Sequence, residues 1–175
     1  MISLRPIAVL TFDFRIVPSG EMALTHIAIL TPLIVGLAAT IGTVAIHGVV
    51  VHTVVVSLRR DLKRGLLGAR IWVNLTFVMA AVLIALGGHL GEIALWASAL
   101  DFSGAAADIG AAIYSSAGSY TTSGSDIVLP PQWKLMGPFE AVAGMLMFGV
   151  STALIFAVVN RLILARFDDQ DKFHL

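Results

Sequence analysis

From Met22 to Leu58 the chain carries no Asp, Glu, Lys or Arg. A charge-free stretch of that length exceeds the roughly 20 residues a helix needs to cross about 30 Å of hydrocarbon. Two further stretches behave alike: Ile71 to about Ala99, interrupted only by His89 and Glu92, and Ala141 to Asn160. In lipid every backbone amide must be bonded within its own segment, so such stretches are expected to be helices. The expected fold class is therefore an all-α membrane protein with three transmembrane helices, the first over 22–58. Composition agrees, since 58% of residues are hydrophobic and 13% charged, against about 25% charged in a soluble domain.

Eleven basic and eleven acidic residues balance to a formal net charge of zero, so there is no broad positive face and no nucleic-acid partner is expected. With no cysteine, disulfides, thiolate metal sites and cysteine nucleophiles are excluded. Arg59, Arg60, Lys63, Arg64 and Arg70 crowd the 59–70 loop, and Arg161 and Arg166 follow the last span. Basic flanks mark the cytoplasmic side, which places the N-terminus outside and the C-terminus inside. Residues 1–21 are expected to form a peripheral arm and 167–175 a short polar tail. The basic residues do not recur at every third position of a span, so no voltage-sensing helix is expected.

Between the second and third spans the pattern changes. The Ala-, Gly- and Ser-rich stretch from Asp101 to Gly118 reads as a helix over 103–118, about 12 to 15 residues long and too short to cross. The polar segment 119–126, the pair Pro130-Pro131 and a final helix over 138–166 follow. This order describes a re-entrant loop between an outer helix, 71–99, and an inner one. Non-helical backbone at membrane depth persists only where it is buried in protein or lines water. One loop cannot enclose a channel, so a ring of identical subunits is expected.

Tyr114 through Pro130, with Thr121-Thr122-Ser123-Gly124-Ser125-Asp126 at its centre, resembles the pore helix and filter of bacterial two-helix potassium channels, whose pattern is Thr-Thr-x-Gly-Tyr-Gly-Asp followed shortly by Pro. Gly144 to Ala153, which contains Phe148-Gly149 and Thr152-Ala153, is similar to the inner helix of that family. The similarity covers residues 71–166 and leaves the first helix as an additional outer one. It implies a homotetramer in the bacterial inner membrane, with permeant K+ or Na+, and Ca2+ as a further candidate, held at Thr122, Ser123 and Gly124. No other cofactor is implied. It makes Thr121 to Asp126 the selectivity filter, Gly144 and Gly149 the gating hinge, and Phe148 and Thr152 the pore lining. The departure from the pattern matters as much: Gly124-Ser125-Asp126 stands where the family has Gly-Tyr-Gly-Asp, one residue shorter and without the Tyr and second Gly. A ring of carbonyls is lost, and weak discrimination between potassium and sodium is expected.

Other ionisable groups have two readings each. His89 and Glu92, at i and i+3 near the expected outer end of their span, suit water contact or loop capping, and as a metal pair they lack a third ligand. His47 and His52, five residues apart, do not share a helical face and read as packing or gate-adjacent residues. Glu140 suits the N-terminus of the last helix or a mouth-lining charge, and Asp108, inside the expected short helix, suits first-turn dipole stabilisation; Trp72, Trp96 and Trp133 suit interfacial anchors. No phosphate loop and no nucleophile–base pattern occurs, so an enzyme is not expected. The functional expectation is a monovalent-cation channel subunit. Its competitors are a non-conducting membrane protein that keeps the same fold and an intramembrane enzyme built on His89 and Glu92.

Overall fold

The computed structural model describes the backbone of residues 19–68 and 70–171 and the side chains of 29–68 and 70–167. The expected N-terminal arm up to residue 18 and the tail from 172 lie outside the described residues. Helix α1 runs Ser19–Lys63, α2 Ile71–Phe102, α3 Ile109–Tyr120 and α4 Met136–Asp171, with a single 3-10 turn at Pro131–Trp133. Three helices are long and apolar enough to cross a membrane, as befits a multi-pass membrane protein, and among the described residues there is no strand.

Several boundaries move from their sequence expectations. The short helix begins at Ile109, not residue 103, because Asp108 is its N-cap: the Asp108 carboxylate accepts from the Ala111 amide at 2.8 Å. A capped start satisfies an orphan donor that an interior Asp would leave unmet. Asp108 is therefore a cap and not an interior residue. At the other end α3 continues through Ser119 and Tyr120, so the polar segment expected over 119–126 loses its first two residues to the helix. The outer helix extends to Phe102 and the last one through Asp171.

Each long helix turns one stripe inward. On α1 it is Pro32, Gly36, Ala39, Thr43, His47, Val50, Val54 and Leu58; on α4 it includes Glu140, Ala143, Gly144, Met147, Ser151, Leu154 and Val158. The three-and-four spacing is that of a single helical face. The remaining faces stay apolar and exposed, with Ile34, Leu37, Ile41, Leu83 and Phe156 among them, as surface meant for lipid or neighbouring subunits requires. Small residues set the helix spacing, since Gly42 lies under Leu95 and Gly88 under Val50, a common route to close approach in membranes.

The apolar interior splits into two layers. One gathers Trp96, Leu100, Ala112, Tyr120, Met136 and Met147; the other gathers Val54, Leu58, Leu67, Ala81, Leu154 and Val158. Helix α3 packs against α2 and α4 within the first layer. Its 12 residues span about 18 Å at 1.5 Å per residue, so it ends beside the middle of α2.

The tightest contact in the bundle lies where α3 ends. A Cβ on Gly144 would run into the Tyr120 carbonyl oxygen and its carbonyl carbon. Gly149, one turn and a half along α4, has open space around it. Gly144→Ala should therefore cost about 1–3 kcal/mol as an overpacked site, whereas Gly149→Ala should change stability by less than about 0.5 kcal/mol. Thermal unfolding of the two variants in detergent measures the difference, and equal melting temperatures would contradict it.

Candidate functional site

Between the two apolar layers lies a ring of polar side chains drawn from all four helices. His47 of α1 meets Glu92 of α2, Nδ1 to Oε1, at 2.8 Å. The Tyr120 hydroxyl of α3 donates to Glu92 Oε2 and lies 2.9 Å from His89 Nδ1. Ser151 Oγ of α4 closes the ring, 3.0 Å from His89 Nε2 and 3.1 Å from His47 Nε2. All five residues are buried. Phe148 covers the His89 side, with ring centroids 4.5 Å apart.

The local sequence explains why these groups point inward. His47 is four residues after Thr43 and seven before Val54 on the buried stripe of α1, and Ser151 is four after Met147 and three before Leu154 on that of α4. On α2, His89 and Glu92 share the stripe with Ala85 and Trp96. Once helical, each chain segment has no choice but to bury its polar residue. The ring is then the means by which these groups avoid being orphaned in a low-dielectric interior, where an unmet polar group costs several kcal/mol.

Two further bridges flank the ring. Trp96 Nε1 donates to Thr43 Oγ1 at 2.9 Å, and Thr43 Oγ1 donates to the Ala39 carbonyl at 3.0 Å. Ser116 of α3 bonds Glu140 Oε1 of α4 and sits 3.2 Å from the Ile93 carbonyl of α2. The second Glu140 oxygen has no hydrogen-bond partner among the described residues. No Lys or Arg pairs with Glu92 or Glu140 among the described residues; the ionic neighbours of Glu92 are the imidazoles of His47 at 2.8 Å and His89 at 3.4 Å.

Several sequence expectations are corrected here. His89 and Glu92 neither reach water nor cap a loop, since both are buried. His89 lies about 27 Å from the start of α2 and about 20 Å from its end at 1.5 Å per residue. His47, expected as a packing or gate-adjacent residue, is a buried member of the ring, while His52 is exposed. Trp96 is fully buried and hydrogen-bonded, not an interfacial anchor; Trp72 is exposed. Glu140 is buried against Ser116 and does not line a mouth. On α3, Tyr114 is 58% exposed and Tyr120 is the buried aromatic.

Thr121 to Asp126 form the non-helical segment that follows. Thr121, Thr122, Ser123, Gly124 and Asp126 are exposed and Ser125 half-buried. The segment folds back on the end of α3: the Thr121 amide donates to the Ala117 carbonyl at 3.1 Å, the Thr122 amide to Ser119 at 3.0 Å and the Gly124 amide to Gly118 at 3.0 Å. Thr122 and Gly124 both take positive φ, 58° and 82°, a conformation glycine adopts freely and threonine at a cost. The Gly124 carbonyl in turn packs on Gly118 so closely that a Cβ there would collide with it. On α4, Thr152 is exposed with its hydroxyl donating to the Phe148 carbonyl at 2.9 Å.

The chain matches no protein-family model, and comparisons with curated proteins and with solved structures find no match.

Tyr120, Ser151 and the partnership of His47 with Glu92 escaped the sequence reading. The inward stripe on α1 was the available signal, since His47 falls in step with Ala39, Thr43 and Val54. Tyr120→Phe keeps the buried ring and removes the hydroxyl shared by His89 and Glu92. It should cost about 1–3 kcal/mol, the penalty for leaving buried partners unmet, while Tyr114→Phe should stay within about 0.5 kcal/mol. Detergent unfolding curves of both variants provide the comparison; a neutral Tyr120→Phe would show that the ring does not hold α3 in place.

Proposed function

We propose that this chain is one subunit of a homotetrameric, potassium-channel-type cation pore, with Thr121 to Asp126 on its axis and Phe148 and Thr152 facing the cavity below. The observation that carries the reading is where α3 stops. It is too short to cross, it ends at Tyr120 beside the middle of α2, and it leaves an exposed non-helical segment at that level. Backbone of this kind is tolerated at membrane depth only against protein or water, and neighbouring copies around an axis would supply both. The carbonyl end of α3, carrying about half a negative charge, would then point at the permeant ion.

In this reading the orientation follows the basic flanks, with the N-terminus outside and the C-terminus in the bacterial cytoplasm. Gly144 is pinned against Tyr120, so bending there would pull on the base of the filter, while Gly149 bends without losing a contact. The truncated Gly124-Ser125-Asp126 end leaves fewer carbonyl sites, which favours weak selectivity. A non-conducting role has one observation on its side: the Gly124 amide occupies the Gly118 carbonyl, so the loop is closed onto its own helix.

Purified protein in liposomes tests the two readings. Monovalent-cation flux is expected, with reversal potentials under bi-ionic sodium and potassium that show little preference, and Asp126→Asn should weaken block by divalent ions. Strong potassium selectivity would refute the weakened filter. Intact tetramers without flux at any voltage or pH would support the non-conducting role.

A further inference from the structure

We propose that the interhelical ring is a binding site for one divalent transition-metal ion of the zinc type, with His47, His89 and Glu92 as its ligands. One donor atom from each of these residues lies within 4.8 Å of the others, and all three are buried. Both imidazoles turn Nδ1 towards the Glu92 carboxylate, at 2.8 Å and 3.4 Å. Neighbouring ligand atoms of a tetrahedral zinc ion stand about 3.3 Å apart, given metal–ligand bonds of about 2.0–2.1 Å. Small side-chain adjustments bring the three donors to that spacing. Two imidazole nitrogens and one carboxylate form the donor set of open zinc sites, and imidazole ligation argues against magnesium or calcium. The Tyr120 oxygen, 2.9 Å from His89 Nδ1, or a water would complete the coordination.

Two observations point to a cation beyond the presence of suitable ligands. The first is Ser151. Metal-bound histidines hand their second ring N–H to an acceptor that fixes the tautomer, and Ser151 Oγ stands within 3.1 Å of both Nε2 atoms. With the metal on Nδ1, both Nε2–H groups donate to that one oxygen, whose two lone pairs accommodate them. The second is a shortage of hydrogens without the metal. Two neutral imidazoles, the phenol and the serine hydroxyl bring four hydrogens, while a carboxylate brings none, and the ring has five contacts to fill. One contact is left without a hydrogen beside an uncompensated buried carboxylate, a costly arrangement in a membrane interior. Either one further proton on an imidazole or a metal ion removes both defects, and the metal does so by replacing hydrogen bonds at Nδ1 with coordination and supplying positive charge. It would also clamp α1, α2 and the end of α3 together, with Phe148 as the side chain that must swing aside for entry.

The inference is independent of conduction and is tested on the whole purified protein in detergent. After stripping with a chelator, Zn2+ should rebind at one equivalent per chain and raise the unfolding temperature. Co2+ should give the visible absorption of a tetrahedral imidazole-bound site. His47→Gln and His89→Gln should abolish both signals, and His52→Gln, at an exposed position, should preserve them. Should the histidine variants fail to fold, Ser151→Ala decides: affinity should fall about 10–100-fold with helix content retained. No stoichiometric binding to the native chain, as expected of a ring that holds only protons, would overturn the proposal. So would binding that survives His47→Gln and His89→Gln but is lost in His52→Gln, or a Ser151→Ala protein of unchanged affinity.

Discussion

The hydrogen-bonded ring of His47, Glu92, Tyr120, His89 and Ser151 is the interaction on which the arrangement of the bundle depends. Apolar side chains do not by themselves choose one helix register in lipid, because lipid is as apolar as they are. Polar groups do, since an unmet one is penalised wherever it sits. The ring takes one member from α1, two from α2 and one each from α3 and α4, and it seats them between two apolar layers. Sliding any helix by a turn would break at least one of its contacts. The bridges from Trp96 to Thr43 and from Ser116 to Glu140 set the neighbouring turns in the same way.

This arrangement makes the short helix possible. Helix α3 has little apolar surface of its own to bury, and no isolated helix of 12 residues is stable by propensity. It holds its place because Asp108 caps one end, Ser116 is tied across to α4, and Tyr120 is locked into the ring at the other. Small residues let it approach its neighbours closely, most of all at Gly144, where backbone meets backbone. The segment that follows is therefore presented from a rigid base. Any function assigned to Thr121 through Asp126 inherits its geometry from Tyr120, and anything that loosens the ring, such as a lost hydroxyl, or tightens it, such as a bound metal ion, acts on that base.

The single chain leaves two kinds of surface in need of company. The outward faces of the long helices are mostly apolar, which lipid satisfies. The Thr121–Asp126 segment is polar and largely exposed, a surface that water or protein satisfies and lipid does not. Glu140 adds a third tension inside the bundle, with one carboxylate oxygen bonded and the other without a partner among the described residues.

How far the sequence alone reaches is clear from particular residues. The charge-free runs determine three long helices, since lipid permits no other backbone there, and the Ala/Gly-rich stretch with Pro130-Pro131 behind it determines a short helix that cannot cross. The inward stripe that carries His47 was legible in the spacing, though a helical pattern tells which residues face in and not whom they meet; Asp108 was expected inside the short helix, and its bond to the Ala111 amide makes it the cap. That His47 lies against Glu92, 45 residues away, or that Ser151 receives two histidines from different helices, follows from tertiary packing alone. The same holds for Trp96, whose position near a span end suggested an interface and whose partner Thr43 keeps it in the core. Sequence determined the elements because backbone hydrogen bonding in lipid is a local demand. Only the tertiary structure decided the site, because a buried polar group is satisfied by whichever distant helix packing brings within reach.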